Sequence, residues 1–177
     1  MAEETNGNGN PAGLGAAGMG PAAEDTGPQL LVQRIYLKDC SFESPSAPLV
    51  FKGNWQPRLD LNISASSNPV EDNHHEVVLT VTVEAKQDET VAFLCEIQQA
   101  GLFLIRGFGP DDLKRVLNAT CANVIFPYAR ETICDLVTRG GFPQLLLQPV
   151  NFDSLYYRHA DQQAGAGAPG GGQQQPS

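Results

Sequence analysis

The 177 residues carry eleven Lys and Arg against twenty Asp and Glu, a formal net charge of −9. No Lys/Arg cluster occurs along the chain, which argues against a nucleic-acid binder working by phosphate neutralisation. No apolar run approaches the roughly 20 residues a membrane helix needs, and the N-terminus lacks a basic segment followed by an apolar one. The expectation is a cytoplasmic protein with no direct membrane insertion.

Residues 1–28 are mainly Gly, Ala, Asn, Pro and acid, and residues 164–177 read AGAGAPGGGQQQPS. Neither segment holds enough apolar surface to offset a backbone ordering cost of roughly 1–2 kcal/mol per residue. Both are expected to be disordered tails, leaving 29–163 as one folded domain. The first strand is read over Leu31–Asp39, with Leu31, Gln33, Ile35, Leu37 and Asp39 on one side and Val32, Arg34, Tyr36 and Lys38 on the other. A Pro-rich crossover from Ser44 to Pro57 holds the single Trp, Trp55. Period-two alternation returns at Leu59–Ser64, Val77–Glu84 and Val91–Gln99, and marks three more half-buried strands. In the last of these, Leu94 and Glu96 share one face, while Phe93, Cys95, Ile97 and Gln99 share the other. Gln87-Asp88-Glu89 is read as a hairpin turn.

The second half changes period. Pro110-Asp111-Asp112 is a helix start, since proline fits the first turn and acids suit the positive end of the dipole. Proline is tolerated only in a first turn, so a kink or break is expected near Thr120–Asn123, with a restart near Asn123. Helical spacing then runs to Arg139, where Gly140-Gly141 stops it. Asn151 caps a last short helix carrying Phe152, Leu155 and Tyr156. Strands first and helices after give an α+β fold: a four-stranded antiparallel sheet with helices packed on one face.

No motif for catalysis is present. There is no phosphate-binding Gly loop, GxSxG or HExxH. His74-His75 is read as a solvated loop, and adjacent strand residues pointing to opposite faces make poor metal ligands. The four cysteines (Cys40, Cys95, Cys121, Cys134) have no zinc spacing and are expected to be reduced packing residues. No metal, cofactor or enzyme activity is expected. What remains is apolar surface outside regular elements: Trp55, the run Phe142-Pro143-Gln144-Leu145-Leu146-Leu147, and Tyr156-Tyr157. Each can seal the edge of a small core. Together they can line a groove for extended apolar segments of another chain. A small enzyme with an aromatic pocket is the rival class.

Four blocks carry a family likeness. Gln33-Arg34-Ile35-Tyr36-Leu37-Lys38-Asp39-Cys40-Ser41-Phe42-Glu43 resembles the N-terminal signature of SecB, the bacterial protein-export chaperone. Phe93 to Gly101, Asn123 to Glu131, and Arg139 to Leu145 with Pro149 to Asp153 resemble it too, in order, over roughly 31–163. The resemblance implies a holdase that keeps unfolded precursors translocation-competent and delivers them to the SecA motor. It also implies a homotetramer, a dimer of dimers, with no cofactor. It implies a SecA-docking face at Asp39, Glu43, Leu94 and Glu96, and tetramer or groove roles for Cys95, Ile97 and Gln99. Trp55, Phe126, Tyr128, Leu146 and Tyr156 are the expected groove lining. The alternative within the family likeness is a chaperone dedicated to one client, such as an antitoxin. Keeping all four docking positions favours export. No charged residue follows Asp161, so the contact to the small zinc domain of SecA that the resemblance implies for the tail would rest on the backbone and on the ordered end of the last helix.

Overall fold

The computed structural model describes residues 27–165. Alternating apolar and polar residues build four strands, all longer than the alternation alone marks: β1 (Gln29–Glu43), β2 (Arg58–Glu71), β3 (His74–Gln87) and β4 (Thr90–Arg106). They form one antiparallel sheet in the order β1-β4-β3-β2. The crossover after β1, with a 3-10 turn at Leu49–Lys52, therefore carries the chain to the far edge. β2 runs through Pro69, which an edge strand allows because its outer side needs no donor. Asn73 (φ 59°) and Asp88 (φ 54°) take left-handed conformations in the two hairpin turns, a role that short polar side chains tolerate. The turn expected around Asp88 is there. His74 and His75, expected in a loop, instead begin β3 opposite Leu104 and Phe103.

β1 departs from simple alternation. Register shifts fall between Val32 and Arg34 and between Leu37 and Asp39. Each bulge flips the phase of the strand. Leu30, Val32, Ile35, Leu37, Cys40 and Phe42 pair with odd-numbered β4 residues, and Leu31, Arg34, Tyr36, Asp39, Ser41 and Glu43 with even-numbered ones. Asp39 thus stands on the opposite face from Ile35 and Leu37, contrary to the uninterrupted reading.

Helices cover only the odd face. α1 (Pro110–Arg115) starts at Pro110 with Asp111 and Asp112 in its first turn. A π turn over Val116–Thr120 leads directly into α2 (Cys121–Arg139). In place of a break and restart, the helical path is continuous, its irregularity is this wide turn ending at Thr120, and Pro127 lies beyond the first turn of α2. Pro127 and Asn123 are both exposed, so water can satisfy the Asn123 carbonyl that a proline leaves without its donor. Ile125, Ala129, Ile133 and Val137 form a fully buried stripe on α2, four residues apart and so on one face. They meet Val77, Leu79, Val81 and Val83 of β3 and Cys95, Ile97 and Phe103 of β4 in one core. Each such buried branched side chain contributes about 1.5–3 kcal/mol.

α2 ends at the expected glycines. Gly141 (φ 88°) donates to Thr138 O at 3.0 Å, and Phe142 donates to Val137 O at 3.2 Å. This pair of bonds is the Schellman closure, and it needs the left-handed residue that glycine supplies. α3 (Phe152–Gly165) is capped as expected, with Asn151 Oδ1 accepting from Ser154 N–H at 2.9 Å. Arg115 pairs with Asp153 at 3.5 Å and ties α3 to α1. Residues 1–26 and 166–177 of the expected tails fall outside the described residues; Gly27 and Pro28 precede β1, and Ala164 and Gly165 belong to α3.

Gly101 lies in the middle of β4, where the Phe103 ring folds back over it. A Cβ there would stand 2.5 Å from the ring and 3.0 Å from Ile35 Cδ1. Gly101→Ala is expected to cost about 1–3 kcal/mol as overpacking, read as a lower urea midpoint with an unchanged slope.

Candidate functional site

The odd face of the sheet is not covered to its end. Beyond the C-terminus of α2, five rings meet: Phe42 from β1, Phe51 and Trp55 from the crossover, Phe93 from β4, and Phe142 from the helix cap. Phe142 is the hub, with ring centroids 5.0 Å from Phe93, 5.1 Å from Trp55, 5.1 Å from Phe51 and 6.3 Å from Phe42. Tilted and offset geometry of this kind adds to plain area burial. Gly140 leaves the space Phe42 occupies, since a Cβ there would sit 2.3 Å from the ring. Ser44 Oγ donates to Ala92 O at 2.9 Å and pins the start of the crossover. Phe93 and Phe142 are buried, while Phe51 remains 49% exposed and Leu49 68%, so the cluster presents an apolar edge to solvent on its crossover side.

The expected groove residues do not all gather here. Trp55 does. Leu146, 65% exposed, lies on the irregular segment that leads from Phe142 towards α3. Phe126 is only 6% exposed and packs edge-on against Phe152 at 5.6 Å; it holds α3 to α2. Tyr156 packs half-buried against the same core. Tyr128 is on the solvent side of α2, 48% exposed. The sequence reading leaves out Phe42, Phe51 and Phe93 as cleft residues. Aromatics bracketing the crossover were the available signal, but no spacing brings them to Phe142.

Cys95, Ile97 and Gln99 stand on the odd face of β4 and are buried within the protomer. The Thr132 hydroxyl of α2 donates to Gln99 Oε1 at 3.4 Å. These three side chains thus seat α2 and do not reach the surface. Burial, with a smaller effect from Cys40, pushes the Cys95 thiol up to about 11, and burial alone pushes Cys121 to about 12. Both thiols stay protonated and unreactive at neutral pH.

The even face has no helix. Register brings all four expected docking residues onto it: Glu43 opposite Leu94, Ser41 opposite Glu96, and Asp39 opposite Gln98. Thr82 and Glu84 of β3 continue the face, opposite Glu96 and Leu94, and Asn62 and Asp60 of β2 follow. A shallow hollow of about 370 Å³ lies among Asp60, Leu61, Asn62, Thr82, Glu84 and Leu94. Farther along, Lys38, left out of the β1 ladder by the second bulge, reaches Glu76 at 2.8 Å, and Tyr36 also donates to Glu76. The Lys38 hydrogen bond first, then that of Tyr36, hold the Glu76 carboxyl below its usual range. Hydrogen bonding to Glu76, then burial, raises Tyr36 to about 12. The face thus has a charge-paired end and an acidic end.

Among the described residues, no three His, Cys, Asp or Glu side chains are grouped to hold a metal, and no helix is long and apolar enough to cross a membrane. An exposed apolar edge on one face of the sheet and a bare acidic surface on the other is the layout of an interaction protein. Residues 23–163 match the family model described as preprotein translocase subunit SecB, and the chain belongs to that family. The protein-export protein SecB of Pseudomonas fluorescens is 51% identical over 135 residues, covering 76% of this chain and 85% of that protein. That of Psychrobacter arcticus is 51% identical over 141 residues, covering 80% and 95%. A solved SecB-like chaperone, Rv1957 of Mycobacterium tuberculosis in complex with a ChAD peptide from the HigA1 antitoxin, shares the fold. Its TM-score is 0.55 at 19% identity, over 68% of this chain and 90% of that one.

The Glu76 cluster gives a signed pH dependence. A lowered native pKa contributes stability that is present above the unfolded pKa and lost as pH falls through the native one. Glu76→Gln is expected to cost about 1 kcal/mol at neutral pH, and urea melts should show the difference vanish in acid. Tyr36 acts at the other end. Its contribution is full below the ordinary value of 10.0 and lost as pH rises towards about 12.

Proposed function

We propose that the chain is a cytoplasmic export chaperone, a holdase without cofactor or catalytic step. It binds unfolded precursor proteins at the Phe142-centred cleft and delivers them to SecA through the acidic end of the even face. Family membership supports the chaperone role. The observation that carries the two-surface form is the register: Asp39, Glu43, Leu94 and Glu96 share one bare face, and the aromatic cluster lies on the other. A chaperone dedicated to one client has less need of the acidic face, so its presence favours export.

The mechanism is mass action. A protein that binds the unfolded state and not the native one draws the equilibrium towards the open chain. Apolar client side chains gain roughly 25 cal/mol per Å² buried in the cleft, and ordering the client returns part of that. We place the protein in a tetramer, a dimer of dimers. Cys95, Ile97 and Gln99 contribute to it indirectly, by fixing the position of α2, whose outward side carries Tyr128. Several clefts on one assembly make later contacts intramolecular, and avidity of about 10²–10⁴ follows without tight single contacts. Weak contacts let the client leave without ATP.

The single Trp reports on the cleft directly. Titration with an unfolded precursor should shift Trp55 emission to shorter wavelength. Phe51→Ala should weaken client binding about tenfold, the loss of an exposed ring of about 2 kcal/mol or less, with SecA affinity unchanged. Glu96→Lys should do the reverse. Loss of both affinities in either variant would refute two separate surfaces.

A further inference from the structure

Thr82 stands directly opposite Glu96 in the β3–β4 ladder, and its hydroxyl donates to Glu96 Oε2 at 2.9 Å. The acids around this pair are not equivalent. Glu84 is neutralised by Lys86 at 2.6 Å and Asp60 by Arg58 at 3.5 Å. Among the described residues, Asp39, Glu43 and Glu96 have no ion pair. Uncancelled negative charge therefore sits on β1 and β4, and Glu96 is the member of that set held by a neighbouring side chain.

We propose that Thr82 is a positioning residue for SecA docking, fixing the Glu96 carboxylate in the orientation that receives a cationic side chain of the motor. The proposal rests on the docking reading given above. Threonine suits the task because its β-branch restricts χ1, so the hydroxyl is aimed before any partner arrives. A carboxylate has about four acceptor positions; Thr82 takes one and leaves the others open. A glutamate already held loses less rotamer freedom on binding. Thr82 touches Glu96, not the partner, so its effect must pass through that carboxylate.

Purified SecA is titrated against wild type, Thr82→Val, Thr82→Ala, Thr82→Ser, Glu96→Gln and the Thr82→Val/Glu96→Gln double variant. Removing the hydroxyl with Val or Ala should weaken SecA binding about threefold to tenfold, the scale of one net hydrogen bond. Thr82→Ser keeps the donor and should stay near wild type. In the Glu96→Gln background, Thr82→Val should add nothing, because the cycle isolates coupling between the two side chains. Equal weakening by Thr82→Val in both backgrounds, or no weakening where Glu96→Gln weakens, overturns the proposal alone. An unchanged affinity for Glu96→Gln overturns the docking reading and this proposal with it.

Discussion

The pleat of β4 is the constraint on which the rest depends. The strand is paired along both sides, and its residues alternate between a helix-covered face and a bare one. Phe93, Cys95, Ile97 and Gln99 go under α2 or into the cleft, and Leu94, Glu96 and Gln98 go to the opposite surface. A one-residue slip would exchange the two sets. The buried stripe of α2 resists that slip, because it would bring Leu94, Glu96 and Gln98 into an apolar core without partners. Packing energy on one face thus fixes the chemistry displayed on the other.

The two faces use that rigidity differently. On the bare face, charge is sorted along the strands: Lys38 and Tyr36 saturate Glu76 at one end, while Asp39, Glu43 and Glu96 stay unneutralised at the other. On the helix face, α2 shields the middle of the sheet, and the crossover closes over its end. The crossover can do so because β1 pairs with β4 and the chain must then travel to the far edge to begin β2. Phe51 and Trp55 arrive at the cleft as a consequence of strand order.

Legibility followed the reach of each signal. The alternation in β3 and β4 was readable because these central strands are buried on one face throughout. β1 was misread because it is an edge strand with two bulges, and a bulge leaves no mark in a period-two count. The four expected docking positions were placed together by family likeness; alternation alone would have sent Asp39 to the other face. Both helix caps were plain from Gly140-Gly141 and Asn151, which act locally. The π turn was not, since such turns are rare insertions into an α-helix and leave no period of their own in the sequence. The five-ring cleft was the least readable feature, since it assembles residues from four separate segments.

The ring at the centre of the cleft is also the first residue beyond the Schellman glycine of α2. Its backbone N–H bonds Val137 O, and its side chain touches the other four rings. The cleft and the helix end are therefore one cooperative unit in the sense of local opening. Fraying of the last turn would carry Phe142 away from its neighbours, uncover Phe93 of β4 and Phe42 of β1, and so widen the apolar surface. The extent of that apolar surface is therefore tied to the stability of a single helical turn.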